Sequence, residues 1–184
     1  MAFEQSKQDT LARKDKSDEQ QVDKKIRSLC KKINNNKNYY TLSSCAGRVI
    51  LVKNKKEKSR GAFIFKSHNT ISYKEIKKAL SSIKYNSLVY FKQEAAILHV
   101  SCKDLDSAQS LLNKAIYSGF KHSGIISTNN KIVLELLSTE RIELPVMNKG
   151  KLLVSDKYLH LLVSESNRKL ERTWKKIEAL EKTL

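Results

Sequence analysis

The chain is 184 residues long and 40% hydrophobic, which is enough for one packed domain and excludes a chain disordered throughout. Five glycines and one proline exclude a collagen-like or linker-rich organisation. With 36 Lys and Arg against 19 Asp and Glu, the formal charge is +17. Such an excess favours a polyanionic partner, nucleic acid first and an anionic membrane surface second, because each bound phosphate releases condensed counterions.

Residues 1–20 are polar and predict a mobile or weakly helical start. From Val22 the apolar residues Val22, Ile26, Leu29, Cys30 and Ile33 have helical spacing, and the asparagine-rich run 34–38 ends that helix. "YYTLSSC" and "RVILVKN" then read as strands separated by Ala46-Gly47. They are followed by the basic loop "KNKKEKSRG" and a third strand in "AFIFKSH". Ser72, with Glu75 three residues later, is a capping box opening a helix whose stripe is Ile76, Ala79, Leu80 and Ile83.

"SLVYFKQ" and "AAILHVS" read as a hairpin around Glu94. Asp104 caps a further helix, which Gly119 stops. "HSGIIS" and "KIVLELLS" form a hairpin over "TNN". "RIELPV" and "KLLV" are shorter strands, and Pro145 pushes the first towards a sheet edge. Ser155 or Asp156 starts a long helix whose face carries Leu159, Leu162, Val163, Leu170, Trp174, Ile177 and Leu180. That stripe is wide enough to pack within the chain.

The fold class expected is α+β: a mixed, mainly antiparallel sheet flanked by N-terminal helices and a long C-terminal helix (156–184), in a single domain spanning 1–184. Two rounds of paired strands plus a helix suggest an internal duplication.

Positive charge concentrates in the middle. Residues 53–84 hold ten basic and two acidic residues, whereas residues 156–184 hold seven and five. The basic loop residues Lys53, Lys55, Lys56, Lys58 and Arg60 suit phosphate contacts without sequence readout. Tyr39, Tyr40, Phe63 and Phe65 flank that loop and serve either as stacking faces for unpaired bases or as core, the latter fitting the phenylalanines better. The three cysteines form no C-x-x-C pair, so neither a zinc site nor a disulfide framework is implied, which suits a reducing, cytoplasmic setting. Four scattered histidines argue against a metal. No signal-peptide core and no run approaching 18 apolar residues is present.

Ser43, Ser44 and Cys45 end one strand, Gly47 permits a tight turn, and Arg48 begins the next. Backbone N–H groups there, with the Arg48 fork, would hold a carboxylate or a phosphate; equally, the serines satisfy their own backbone in an ordinary turn. Cys45 as a nucleophile needs a base, and nothing in the sequence brings His68 or His99 to it. Phosphate-loop and dinucleotide glycine patterns are absent.

The stretch "YYTLSSCAGRVIL" resembles the wybutosine-synthesizing protein 3 family, whose signature runs Ser-Ser-Cys-Ser-Gly-Arg. Ser43, Ser44, Cys45, Gly47 and Arg48 match, with Ala46 in place of the usual serine. The resemblance continues through "VDKKI", "FIFKSH", "FKQEAAILHVSC", "AIYSGFKHSGI" and "LPVMNKGKLLVSDKYLHLLVSESNRKL". The family's usual tryptophan after the third-strand glycine is Phe63 here.

The resemblance implies a methyltransferase that lacks the Rossmann fold. It uses S-adenosylmethionine to methylate N4 of a wyosine-type base 3′ of the anticodon of phenylalanine tRNA. It further implies that Ser43, Ser44, Cys45, Gly47, Arg48 and Glu94 contact the cofactor, and that His68 and His99 are candidate proton acceptors. Lys92 joins the basic loop in contacting tRNA. A non-catalytic RNA-binding module and an oligomerisation protein built on the C-terminal helix are the competing readings of the same composition.

Overall fold

The computed structural model describes residues 2–13, 22–53, 63–83 and 87–184. Helices and strands follow in the order α1 (Ala2–Leu11), α2 (Arg27–Asn35), β1 (Tyr39–Cys45), β2 (Arg48–Lys53), β3 (Phe63–Ser67), α3 (Tyr73–Ser81), β4 (Val89–Glu94), β5 (Ile97–Cys102), α4 (Leu105–Tyr117), β6 (Gly124–Ser127), β7 (Ile132–Leu137), β8 (Ile142–Asn148), β9 (Lys151–Leu152) and α5 (Asp156–Thr183).

The α+β expectation is met: every strand pairing among the described residues is antiparallel, and no parallel β-α-β crossover occurs. The strands divide between a four-stranded sheet, β1-β5-β7-β6, and a five-stranded sheet, β3-β2-β4-β8-β9. Each sheet draws strands from both of the apparent sequence rounds. The polar N-terminal run forms a helix over Ala2–Leu11, and residues 14–20 lie outside the described residues. The second helix starts at Arg27 instead of Val22. No helix among the described residues is long and apolar enough to cross a membrane.

Two compact units arise, each from discontinuous segments. The first comprises Met1–Ala46, Ala96–Thr139 and Thr173–Leu184; the second comprises Gly47–Ala95 and Glu140–Arg172. The expected hairpin around Glu94 does not form: β4 belongs to the five-stranded sheet and β5 to the four-stranded one, with Ala95-Ala96 between them. The hairpin over Thr128–Asn130 does form, as β6 with β7.

In the first unit, strand alternation puts Leu98, Val100 and Cys102 of β5 and Leu134 and Leu136 of β7 on one face. These residues form a core with Leu29 and Ile33 of α2, Leu111 of α4, and Ile177 and Leu180 of α5. Full burial of each such aliphatic side chain stabilises by roughly 1.5–3 kcal/mol. Asp104 accepts the Ser107 N–H at 2.8 Å to begin α4. Gly119, at φ 98°, ends it, with the Phe120 N–H donating to the Ala115 carbonyl at 2.9 Å.

In the second unit, Val49, Leu51 and Phe91 are buried with Ile76 and Leu80 of α3 and Leu159, Leu162, Val163 and Leu170 of α5. The capping box at α3 forms as expected, Ser72 and Glu75 bonding reciprocally. Asn167 of α5 clasps Ile71, accepting its N–H at 2.9 Å and donating to its carbonyl at 2.8 Å. β8 lies between β4 and β9, yet β9 pairs only with Met147 and Asn148, so Pro145 has a strand neighbour on one side alone among the described residues, as the sheet-edge expectation requires. Pro145 is opposite Tyr90, next to the register shift that leaves Val146 as the extra residue, so its missing N–H does little harm.

Candidate functional site

On the first unit, β1, β5 and β7 line up three polar residues across the sheet: Ser43 opposite His99, and His99 opposite Glu135. Leu98 and Val100 point into the core, so His99 points away from it. Ser43 Oγ lies 2.9 Å from His99 Nδ1, and Glu135 Oε2 lies 2.9 Å from His99 Nε2. The His99 and Glu135 side chains are 29% and 27% exposed, wet enough to meet a ligand and sheltered enough to hold their geometry.

A carboxylate only accepts, so in the neutral imidazole Nε2–H donates to Glu135 and Nδ1 accepts from the Ser43 hydroxyl. At the end of β1, the Ala46 N–H donates to Asp23 Oδ2 at 2.8 Å. The backbone donor expected for an anion nest at this bend is thus engaged by a carboxylate. Gly47 has φ 89°, which explains a glycine there.

On the second unit, Arg48 and Glu94 are directly opposite on β2 and β4, and Arg48 Nε donates to Glu94 Oε2 at 2.5 Å. The Arg48 guanidinium lies 5.4 Å from the centre of the Phe63 ring. One row along, Lys92 pairs with Glu143 at 2.6 Å, and Arg141 bonds the same carboxylate at 2.9 Å. The Lys92 hydrogen bond, helped by Arg141, holds the Glu143 carboxyl below its ordinary range against the opposing effect of burial.

The family model described as Methyltransferase TYW3 matches residues 5–184. The chain belongs to this family. It is 39% identical over 155 residues to a Methanocaldococcus jannaschii protein named tRNA(Phe) 7-((3-amino-3-carboxypropyl)-4-demethylwyosine(37)-N(4))-methyltransferase, covering 82% of this chain and 80% of that one. An Archaeoglobus fulgidus protein of the same name is 35% identical over 187 residues, covering 100% and 94%. A Xenopus laevis protein named tRNA wybutosine-synthesizing protein 3 homolog is 34% identical over 182 residues, covering 96% and 72%. Among solved structures, a Pyrococcus horikoshii protein superposes with a TM-score of 0.88 at 32% identity, covering 98% of this chain and 92% of that one. A hypothetical protein from Aeropyrum pernix gives 0.77 at 26% identity, covering 88% and 96%. The family read from the signature is therefore the family found, and the TYW3 chain is a methyltransferase.

Within this TYW3 chain the structure brings Ser43 to His99, and Arg48 to Glu94. Alternation along β1 sends Ser43 and Cys45 to one face and Ser44, opposite core residue Leu98, to the other. His68 is half-buried at the bend after β3, in the second unit, whereas His99 belongs to the first. Lys53 closes β2. Lys55, Lys56, Lys58 and Arg60 lie outside the described residues.

Tyr39 and Tyr40 are buried at 6% and 0%, so neither offers a stacking face, whereas Phe63, expected in the core, is 51% exposed. Sequence pattern alone assigns no role to Glu135 or Asp23. The one available signal was a lone acid inside the apolar "KIVLELL" and another inside the signature "VDKKI". A cavity of about 340 Å3 on the first unit is lined by residues that include Phe3, Ser6, Tyr40, Lys103 and Lys131, and contains none of the candidate site residues.

Proposed function

We propose that this methyltransferase acts on phenylalanine tRNA, methylating N4 of a 4-demethylwyosine-type base at position 37, with S-adenosylmethionine as donor. The observation that carries this reading is that relatives named for the reaction match 82% and 100% of the chain at 39% and 35% identity. The +17 charge suits a polyanionic substrate of this kind.

The donor set on the second unit fits the methyl donor chemically. Arg48 offers a fork for the amino-acid carboxylate, and Glu94 offers an acceptor for ribose hydroxyls or the ammonium group. Gly47 lets the backbone turn directly before Arg48. For Ser44 and Cys45, the family signature alone supports a cofactor role. Bound there, S-adenosylmethionine supplies a methyl group activated by a sulfonium.

The first unit, taken by itself, carries a row of residues able to take up a proton of the kind a methylated nitrogen loses. Ser43 Oγ is the exposed end of the row and His99 Nδ1 its acceptor, so a proton reaching the hydroxyl displaces the hydroxyl's own proton onto the imidazole. The imidazolium so formed is held by the Glu135 carboxylate. Ser43 and His99 are the catalytic residues in this reading, and Glu135 positions the ring. His68 keeps its candidacy as a second proton acceptor.

The test is incubation of the purified chain with hypomodified phenylalanine tRNA and labelled methyl donor, followed by nucleoside mass analysis. The expected result is one methyl gained on the tricyclic base. Absence of transfer to that nucleoside, with the donor bound, overturns the reading.

A further inference from the structure

The five-stranded sheet has a face that the cofactor assignment uses only at one end. Alternation sends Val49 and Leu51 to one side and Arg48, Ile50 and Val52 to the other, with their register partners Glu94, Lys92 and Tyr90 on β4; Ile50 is itself only 2% exposed, so the accessible groups of this face lie around it. The rows extend outward: Lys66 and Glu143 flank the Ile50–Lys92 row, and Phe63 and Pro145 flank the Val52–Tyr90 row. One row is thus charged, and its neighbour is aromatic and apolar. Phe63 is 51% exposed, and Tyr90 is half-buried.

Arg48 stands 5.4 Å from the Phe63 centroid, and Lys92 stands 5.7 Å from that of Tyr90. Both are at the outer limit of cation–π contact, so each ring face is left loosely covered. Along the strands, the described charges on this face are Arg48, Lys66 and Lys92 with Glu94 and Glu143, of which Arg48 pairs with Glu94 and Lys92 with Glu143, so cations and two aromatic rings stand side by side. Aromatic faces with adjacent cations suit single-stranded nucleic acid: bases stack on the rings and phosphates meet the ammonium groups.

The geometry points to this face as the seat of unstacked loop nucleotides of the RNA substrate, with Tyr90 and Phe63 as stacking surfaces and Lys66 and Lys92 as phosphate contacts. The inference rests on the tRNA reading for the identity of the RNA. Its charge complementarity, the exposed Phe63 ring and the half-buried Tyr90 ring are properties of this chain alone. The basic loop is then not the sole docking element, and Tyr90 is a binding residue that the signature motifs do not mark.

The experiment measures binding of the full chain to an anticodon stem-loop transcript of phenylalanine tRNA by fluorescence anisotropy over a salt series, with methyl transfer to whole tRNA run in parallel. Tyr90→Leu keeps apolar bulk and removes the ring; it should weaken binding about 5- to 100-fold without changing the salt slope. Tyr90→Phe should bind like the parent. Lys66→Ala should lower the slope by roughly one. Thermal midpoints check that each variant is folded, and Phe63→Leu supplies the measurement should Tyr90→Leu not fold.

Unchanged affinity in folded Tyr90→Leu and Phe63→Leu, or competition by a plain RNA duplex equal to that by the loop, overturns the inference. The two readings fail separately. Methyl transfer with an unaltered Km in the ring variants leaves the activity standing and removes the platform. Loss of stem-loop binding in them, with no methyl transfer by the parent, does the reverse.

Discussion

Glu135→Gln removes a charge while keeping an acceptor of the same shape opposite His99. If the Ser43–His99–Glu135 row takes up the proton during methyl transfer, the carboxylate's contribution appears when the ring becomes an imidazolium. The ring nitrogen and carboxylate oxygen are 2.9 Å apart, which places the charge centres about 4 Å apart. Both side chains are more than a quarter exposed, so an effective dielectric between about 40 and 80 applies, and Coulomb's law then gives about 1–2 kcal/mol.

That corresponds to a loss of roughly 5- to 30-fold in the chemical step, with little change in substrate Km. His99→Ala removes the acceptor itself and should cost roughly 100-fold or more. The double variant should be no slower than His99→Ala, because Glu135 acts only through the ring. Single-turnover methyl transfer to hypomodified tRNA at saturating donor reads all three. Independent, multiplying losses in the double variant would refute the relay, as would full activity in His99→Ala.

Arg48→Ala should weaken binding of the methyl donor about tenfold or more in calorimetry, since a charge-assisted hydrogen bond is lost, while leaving the thermal midpoint nearly unchanged. Burial, reinforced by the charge of Asp104, pushes the Cys102 thiol from 9.0 up to about 12. It should therefore resist iodoacetamide at pH 8 in the folded chain and react on unfolding. Because the folded value lies above the unfolded one, its contribution to stability is complete below about pH 9 and disappears as pH rises towards 12. We also propose that the chain behaves as the single domain its length suggests, since neither unit is a contiguous segment; calorimetry should show one transition, and two resolved transitions would refute this.

What sequence reading captured was chiefly what neighbouring residues decide. The Ser72–Glu75 box, the Asp104 cap and the Gly119 stop each involve groups within a few positions of one another, and each formed where expected. The β6–β7 hairpin was legible because its asparagines favour a turn. Ala95-Ala96 has no such chemistry, since alanine disfavours positive φ, and that was a usable sign against a hairpin there. The partnership of His99 with Glu135 could not be read, because it depends on β5 pairing with β7 across an intervening helix. The reversal between Tyr40 and Phe63 has the same origin: which aromatic faces water is set by which sheet receives the strand. The family signature marked Ser43, Arg48 and Glu94 as important but did not show that each is already bonded to another side chain.

The split of α5 between the units bears on how the protein is made. Thr173–Leu184 belongs with Met1–Ala46, and Ile177 and Leu180 are part of that unit's core. On the ribosome, the earliest strand must wait for these late leucine and isoleucine side chains before its hydrophobic layer closes. That layer stays open until Ile177 and Leu180 have been synthesised, and until then the nascent chain carries apolar surface that a chaperone would recognise.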